Sequence, residues 1–202
     1  MMVFLENASV LVDARGTALG SFVEISSQTG PERFMTLLAR VPMRTTSTAT
    51  LSSYLGKNIL QICYNKYNPR NNCAHFVGHA LGIHVGMGCY DIVGGALPGA
   101  SIRVNEIFND WCPTKGKWSK KPTALYRCLL FISIPINVIL TPLSMKDHET
   151  KHIGIYVGGT VWHYSNTMKK VVAVPESQMH RHYPGQTMDW MFYGTFGPSR
   201  EP

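Results

Sequence analysis

The chain has 202 residues, of which 45% are apolar and 15% charged, so it is long enough for a substantial core and is not a disordered protein. Lys and Arg exceed Asp and Glu by 19 − 12 = 7, and such a basic protein favours anionic partners such as nucleic acid, anionic lipid or a bacterial envelope. The positive charges are scattered, and residues 115–121, which come closest to a cluster, are typical of a solvated loop. We therefore expect no nucleic-acid partner.

The chain has five cysteines, which form no CxxC pair and no regular spacing: Cys63, Cys73, Cys89, Cys112 and Cys128. An odd number leaves at least one thiol unpaired within the chain, as in a reducing compartment or in a catalytic cysteine. A zinc site built from Cys73, His75 and His79 does not match the usual ligand spacings, so we expect no metal. His75 and His79 are instead expected to be packing or pocket-wall residues.

The hydropathy of the chain does not predict a membrane protein. Residues 1–6 have no basic segment and no long apolar core, so we expect no signal peptide and synthesis in the cytoplasm. The most apolar run, residues 128–143, is too short to span a bilayer and contains Pro135 and Pro142. It predicts two buried strands, and we expect no stable membrane insertion.

The first quarter of the chain is weakly patterned and suggests no function. It contains only short candidate elements: a strand at 22–25 and helices at 32–40 and 51–55. Because no internal repeat or linker follows, we predict one catalytic domain over residues 1–202. Within it, residues 1–57 would form a helical or irregular extension and residues 58–202 the core.

A helix that carries a cysteine in its first turn is predicted next. Asn71 and Asn72 are good helix caps directly before Cys73, and Gly82 provides a stop. Apolar residues recur at helical spacing and should form a buried face: Phe76, Val77, Ala80 and Leu81. Free backbone N–H groups and the helix dipole favour a thiolate in the first turn, so Cys73 is a candidate nucleophile that needs a base.

The second half of the chain is typical of an antiparallel sheet. A capped helix is predicted at residues 101–110, and strand-like runs separated by turn residues then follow at 126–134, 137–141, 152–157, 161–164, 170–174 and 191–195. Helices first and strands afterwards predict the α+β class.

Residues 152–166 predict a hairpin, with a strand on either side of Gly158-Gly159. His152 opens the first strand and His163 closes the second, so the two side chains can lie side by side across the ladder. His152 can then act as base to Cys73 while His163 holds its ring, which is the nucleophile–base–orienter logic of a catalytic triad.

This pattern resembles the NlpC-type papain-like cysteine peptidases, which are bacterial cell-wall endopeptidases and amidases. The resemblance covers about residues 71–173 and is carried by the cysteine at a helix start, the His-x-Gly-Ile-Tyr-x-Gly run and the second histidine. It implies a papain-like α+β fold, with the cysteine helix packed on an antiparallel sheet. It also implies that Cys73 is the nucleophile, His152 the base and His163 the third residue.

The resemblance implies a thiol hydrolase that cleaves amide bonds in peptidoglycan stem peptides without a metal or an organic cofactor. The backbone N–H of Cys73, with Asn72 or Tyr64 as a neighbouring donor, would stabilise the oxyanion. Arg70 could bind a substrate carboxylate, and Asn166 could orient the base in place of His163.

Several alternatives stay open. The Asn-Cys-x-His-Phe run at residues 72–76 is similar to the lecithin retinol acyltransferase relatives, which suggests a thiol acyltransferase or lipase acting on membrane lipids. In those proteins the histidines precede the cysteine, whereas here they follow it, so residue order favours peptidoglycan. Without a signal peptide, a wall enzyme would be a type VI secretion effector with an immunity protein as partner, or a phage endolysin. It would act in the periplasm or cell wall.

Overall fold

The computed structural model describes residues 8–12, 18–23, 48–63, 72–90 and 99–197. The chain divides into two compact units, Met1–Val41 and Pro42–Pro202. In the first unit, strands β1 (Ala8–Val12) and β2 (Ala18–Val23) form an antiparallel pair. The helix predicted at residues 32–40 lies outside the described residues.

Short helices connect the elements of the second unit. They are α1 (Thr48–Ser52), α2 (Asn72–Leu81), α3 (Val104–Glu106) and α4 (Glu176–Met179). The helix predicted at 101–110 begins later, at α3, because the Ser101 hydroxyl accepts from the Val85 N–H and donates to the Val85 carbonyl instead of capping a helix. None of the described helices is long and apolar enough to cross a membrane.

The strands of the second unit form an antiparallel sheet and a separate small hairpin. In chain order they are β3 (Lys115–Lys117), β4 (Arg127–Ile132), β5 (Val138–Leu140), β6 (Leu143–Met145), β7 (His152–Val157), β8 (Thr160–Ser165), β9 (Lys170–Pro175) and β10 (Met191–Gly194). Six of them form one sheet in the order β3-β10-β4-β7-β8-β9, with antiparallel neighbours throughout. Helices combined with an antiparallel sheet make this unit α+β, as predicted.

Both faces of the large sheet are covered, which explains the long apolar run that contains β4. Leu129 and Phe131 pack into the core that also holds the apolar face of α2. Leu130 and Ile132 alternate with them and pack on the opposite face, beside Trp118. A strand buried on both sides shows no apolar–polar alternation, because each of its side chains meets a core.

The prediction of a second buried strand in the same run is wrong. β5 pairs only with β6, in a two-stranded sheet of its own. Its side chains are largely solvent-exposed, with Ile139 42% and Leu140 53% exposed. β5 thus has the apolar residues of a core strand without their burial, because composition alone does not show which strands gain a second layer.

The predicted hairpin at residues 152–166 is confirmed by the pairing of β7 with β8. Val157 pairs with Thr160, and the two turn residues between them, Gly158 and Gly159, have φ values of 55° and 90°. Both values lie in the left-handed region, which glycine enters without a steric penalty. Helix α2, which carries Cys73, packs against β7 and β8.

Candidate active site

The structure places Cys73 in the first turn of α2, which begins at Asn72. The thiol is fully buried, and the backbone N–H groups of Ile153 and Ala74 approach its sulfur. Burial raises the pKa of Cys73 to about 12, although these N–H groups act in the opposite direction. In this conformation the cost of burying a thiolate outweighs the help of the helix terminus, so Cys73 is a neutral thiol at neutral pH.

The first turn of α2 is tied to the end of strand β8. The backbone N–H of Asn72 donates to the side-chain oxygen of Asn166 over 3.2 Å. This bond satisfies one of the N–H groups that a helix start leaves without an intrahelical partner. Asn166 thus positions the helix that carries Cys73, and its orienting of the base stays a prediction.

His152 and His163 lie together across β7 and β8. Nε2 of His152 is 2.9 Å from Nδ1 of His163, and the two rings meet edge to face with centroids 4.8 Å apart. The pair is buried, and burial lowers the pKa of His152 well below its usual value and that of His163 to about 4. A hydrogen bond with the Tyr164 carbonyl acts in the opposite direction at His163. Both rings are therefore neutral near pH 7 and share one N–H between them.

The thiol of Cys73 lies beside the start of β7. The N–H group that points at the Cys73 sulfur belongs to Ile153, the residue directly after His152. The pairing of β7 with β8 begins at Ile155 and Trp162. His152 and Ile153 therefore precede the part of β7 that pairs with β8. The structure thus brings the thiol to the strand end that carries the predicted base.

A segment that the sequence did not single out covers this site. We call residues 180–187 the covering segment. His182 stacks on His152 with ring centroids 3.9 Å apart and planes inclined by 28°, and Tyr183 packs edge-on against His182. Burial, followed by the electrostatic influence of Cys73, raises the pKa of Tyr183. These residues occur in a polar loop without a motif, and no sequence signal distinguishes them.

Lys151 is a second residue that the sequence did not single out. Its side chain is buried, and its ammonium group donates to the Lys146 carbonyl over 2.8 Å and to the Asp147 carboxylate over 3.4 Å. Burial lowers the pKa of Lys151, while Asp147 raises it. The ammonium charge also acts on Cys73, where it favours the thiolate.

The remaining predicted site residues fall into two groups. Tyr64 and Arg70 lie outside the described residues. His75 and His79 lie on the side of α2 turned away from Cys73, and their ring nitrogens approach the sulfur atoms of Cys63 and Cys89 rather than that of Cys73. Cys73, the cysteine of the zinc site considered from the sequence, therefore does not lie with these two histidines.

The chain matches no protein-family model, and no curated protein sequence matches it either. A function for the chain must therefore be inferred from its motifs and from the geometry of the site. That geometry contains a buried thiol at a helix start, a hydrogen-bonded histidine pair and a covering segment.

Proposed function

We propose that the protein is a cysteine hydrolase with a papain-like, NlpC-type arrangement, in which Cys73 is the nucleophile, His152 the base and His163 the orienting residue. One observation carries this proposal. His152, the first residue of β7, is hydrogen-bonded to His163. The backbone N–H of the next residue, Ile153, points at the Cys73 sulfur. This contact supports a triad at the start of β7, with Cys73 as nucleophile, His152 as base and His163 as orienter.

The histidine pair suggests a specific distribution of protons. His163 binds Nε2 of His152, so Nδ1 is the nitrogen of His152 that would serve the thiol. A base needs a lone pair there, which assigns the ring proton of His152 to Nε2 and makes it the donor to Nδ1 of His163. His163 then carries its own proton on Nε2. In this arrangement His163 fixes both the tautomer and the orientation of the base.

The proposed reaction proceeds through an acyl-enzyme. Nδ1 of His152 takes the thiol proton, and the sulfur forms a bond to the carbonyl carbon of the scissile amide. The resulting oxyanion is stabilised by the backbone N–H of Cys73. The imidazolium of His152 returns its proton to the leaving amine as the C–N bond breaks, and water then hydrolyses the thioester.

Substrate access would require the covering segment to move, because Cys73 and His152 are buried and His182 of that segment stacks on the His152 ring. Removing Tyr183 and His182 from the site would admit water to the thiol and to the His152 ring. The pKa of the thiol would then fall and that of the imidazole would rise, since burial is the largest cause of both shifts. Opening would thus favour the thiolate–imidazolium pair that attacks the substrate.

The proposed substrate is an amide bond in a peptidoglycan stem peptide. This choice is supported by the resemblance to the NlpC-type enzymes and by the net charge of +7, which favours an anionic envelope. Arg70 is a candidate for binding a substrate carboxylate. The proposed place of action is the periplasm or cell wall, where an antibacterial effector of this kind would require an immunity protein to protect its producer.

The test is incubation of the purified protein with muropeptides, followed by mass spectrometry of the products. The wild type should cleave one amide bond, and Cys73→Ala should release no product. Cys112→Ala is the matched control, because Cys112 is a buried thiol that packs in the core with Leu129 and Phe131. Cleavage that persists in Cys73→Ala would contradict the proposal. Intact muropeptides together with fatty acid released from phospholipid vesicles would replace it with the lipid reaction.

A further inference from the structure

Four side chains converge on the side of α2 that faces away from Cys73. His75 and His79 are four residues apart, so they lie on the same helix face, whereas Cys73 is turned from His75 by about 200° around the axis. Cys63 and Cys89 approach this face from outside the helix. We call these residues the Cys2His2 cluster: Cys63, His75, His79 and Cys89.

From this geometry we infer that the Cys2His2 cluster binds one zinc ion, at a structural site separate from the proposed catalytic residues. The two histidine Nε2 atoms are 3.2 Å apart, the two cysteine sulfurs 3.8 Å, and Nε2 of His79 lies 3.7 Å from the Cys89 sulfur. No two of the four ligand atoms are more than 4.8 Å apart.

These separations are those of a tetrahedral zinc site. Bond lengths of about 2.3 Å to sulfur and about 2.0–2.1 Å to nitrogen put two sulfurs about 3.8 Å apart, two nitrogens about 3.3 Å and a mixed pair about 3.6 Å. The three distances given above lie within about 0.2 Å of these values. Two thiolates and two imidazoles in a tetrahedron form a donor set that zinc prefers.

Burial and charge favour the same ion. Cys63, His75 and Cys89 are buried, and polar groups in such a place need partners. Two thiolates neutralise the charge of Zn²⁺, so the loaded site is neutral and suits a buried position. Binding would release both thiol protons to solvent as the two sulfur–metal bonds form.

A disulfide is the main alternative for the two cysteines, and the geometry disfavours it. Their sulfurs are 3.8 Å apart, whereas a disulfide bond is about 2.05 Å long. A disulfide would also leave the two histidine Nε2 atoms facing each other with a single hydrogen bond between them. A metal ion would coordinate all four ligand atoms at once.

The surrounding fold holds the ligands in place. Cys63 follows a 3₁₀ turn closed by a capping box between Asn58 and Gln61, and its N–H donates to the Ile59 carbonyl. The Cys89 N–H donates to the Ala100 carbonyl over 2.9 Å. Zinc would therefore join α2 to the chain before it and to the chain after it.

The four protein ligands fill the tetrahedron, so the site has no open position for water or substrate and would be structural. Its effect on the catalytic residues would be indirect. The metal would fix α2, the helix that carries Cys73, from the side opposite the sheet. Because a closed zinc site stabilises only the folded state, its removal should lower stability.

The test uses the full chain, purified under reducing conditions and supplied with zinc. Elemental analysis should find one zinc per chain, and replacement by cobalt should give the visible absorption of a tetrahedral, thiolate-ligated ion. Cys63→Ala and His79→Ala should each reduce zinc to less than one tenth of the wild-type content. Cys112→Ala and His148→Ala are the matched controls, and Cys73→Ala should also keep the metal.

Two further measurements keep the test decisive if a ligand variant fails to fold. X-ray absorption on the wild type should show two sulfur and two nitrogen neighbours around zinc, and a chelator should lower the wild-type melting temperature by several degrees. A wild type without zinc, a zinc content unchanged in Cys63→Ala, or a Cys63–Cys89 disulfide in the freshly purified protein would each overturn the inference. Loss of peptidase activity plays no part in these readouts, so the zinc site and the proposed function can fail independently.

Discussion

Nε2 of His152 lies 2.9 Å from Nδ1 of His163, a contact that joins the first residue of β7 to the middle of β8. The strands can approach this closely because Gly154 has no side chain. A Cβ atom at that position would lie 2.5 Å from Val161 Cγ1 and 3.2 Å from His163 Cβ. Packing between the two strands therefore explains the glycine of the His-x-Gly run.

Gly154→Ala is expected to push β8 away from β7 and to separate the two histidines. Overpacking of this kind costs about 1–3 kcal/mol, and activity per folded molecule should fall as well. Gly159→Ala is the matched control, because it strains a turn residue with φ of 90° but has no atom within 4 Å of its added Cβ. Chemical denaturation and turnover of the folded fraction measure the two effects. Equal specific activity in both variants would show that the spacing of the histidines does not limit catalysis.

Turnover should fall unequally when the three proposed catalytic residues are changed. Cys73→Ala and His152→Ala should each abolish hydrolysis, and the double variant should be no worse, because both residues act in one proton transfer. His163→Ala should keep measurable activity, with kcat lower by about a hundredfold, since a misplaced base remains present. Steady-state kinetics on purified muropeptide tests this order. A complete loss in His163→Ala would mean that His163 does more than orient His152.

The buried histidines should make the protein less stable in acid. The pKa of His163 is about 4 in the folded state and about 6.5 in the unfolded state. Between about pH 4 and pH 6.5 the unfolded chain therefore binds more protons than the folded one. Stability is then fully present above about pH 6.5 and is lost as pH falls towards 4. The titratable groups that face His163 are His152 from β7 and His182 from the covering segment, and burial lowers the pKa of each.

Urea unfolding between pH 7 and pH 4.5 measures this effect. His163→Asn should flatten the pH dependence by up to about 1.4 kcal/mol per pH unit, the contribution of one proton. His148→Asn is the control, because that side chain is exposed. An unchanged pH dependence in His163→Asn would place the acid sensitivity in other groups.

The covering segment should limit the reaction of Cys73 with reagents. His182→Ala removes the side chain stacked on the His152 ring, and Tyr183→Ala removes the one packed against His182, so alkylation of Cys73 by iodoacetamide should become several-fold faster. Site-resolved mass spectrometry measures the rate, and the buried thiols of Cys112 and Cys128 serve as internal controls. If all three cysteines react faster together, the substitutions have loosened the whole fold instead.

The sequence alone determined the local elements of the site, because their signals repeat within a few residues. Helical spacing of the apolar residues and the asparagine before Cys73 predicted α2, and its observed start at Asn72 puts the cysteine in the first turn. The Gly158-Gly159 pair predicted the turn between β7 and β8, since few other residues enter the left-handed region easily. Once that turn is fixed, strand alternation brings His152 and His163 to one face.

The tertiary structure decided which distant residues meet these elements. His182 and Tyr183 lie in a polar loop that reaches the site. Cys63 precedes α2 in the chain and Cys89 follows it, yet both lie beside His75 and His79. No periodicity links such positions, because their proximity depends on how helices and strands pack rather than on spacing along the chain. Packing also decided the charge state of Cys73: the helix start favours a thiolate, and complete burial under neighbouring segments outweighs that preference.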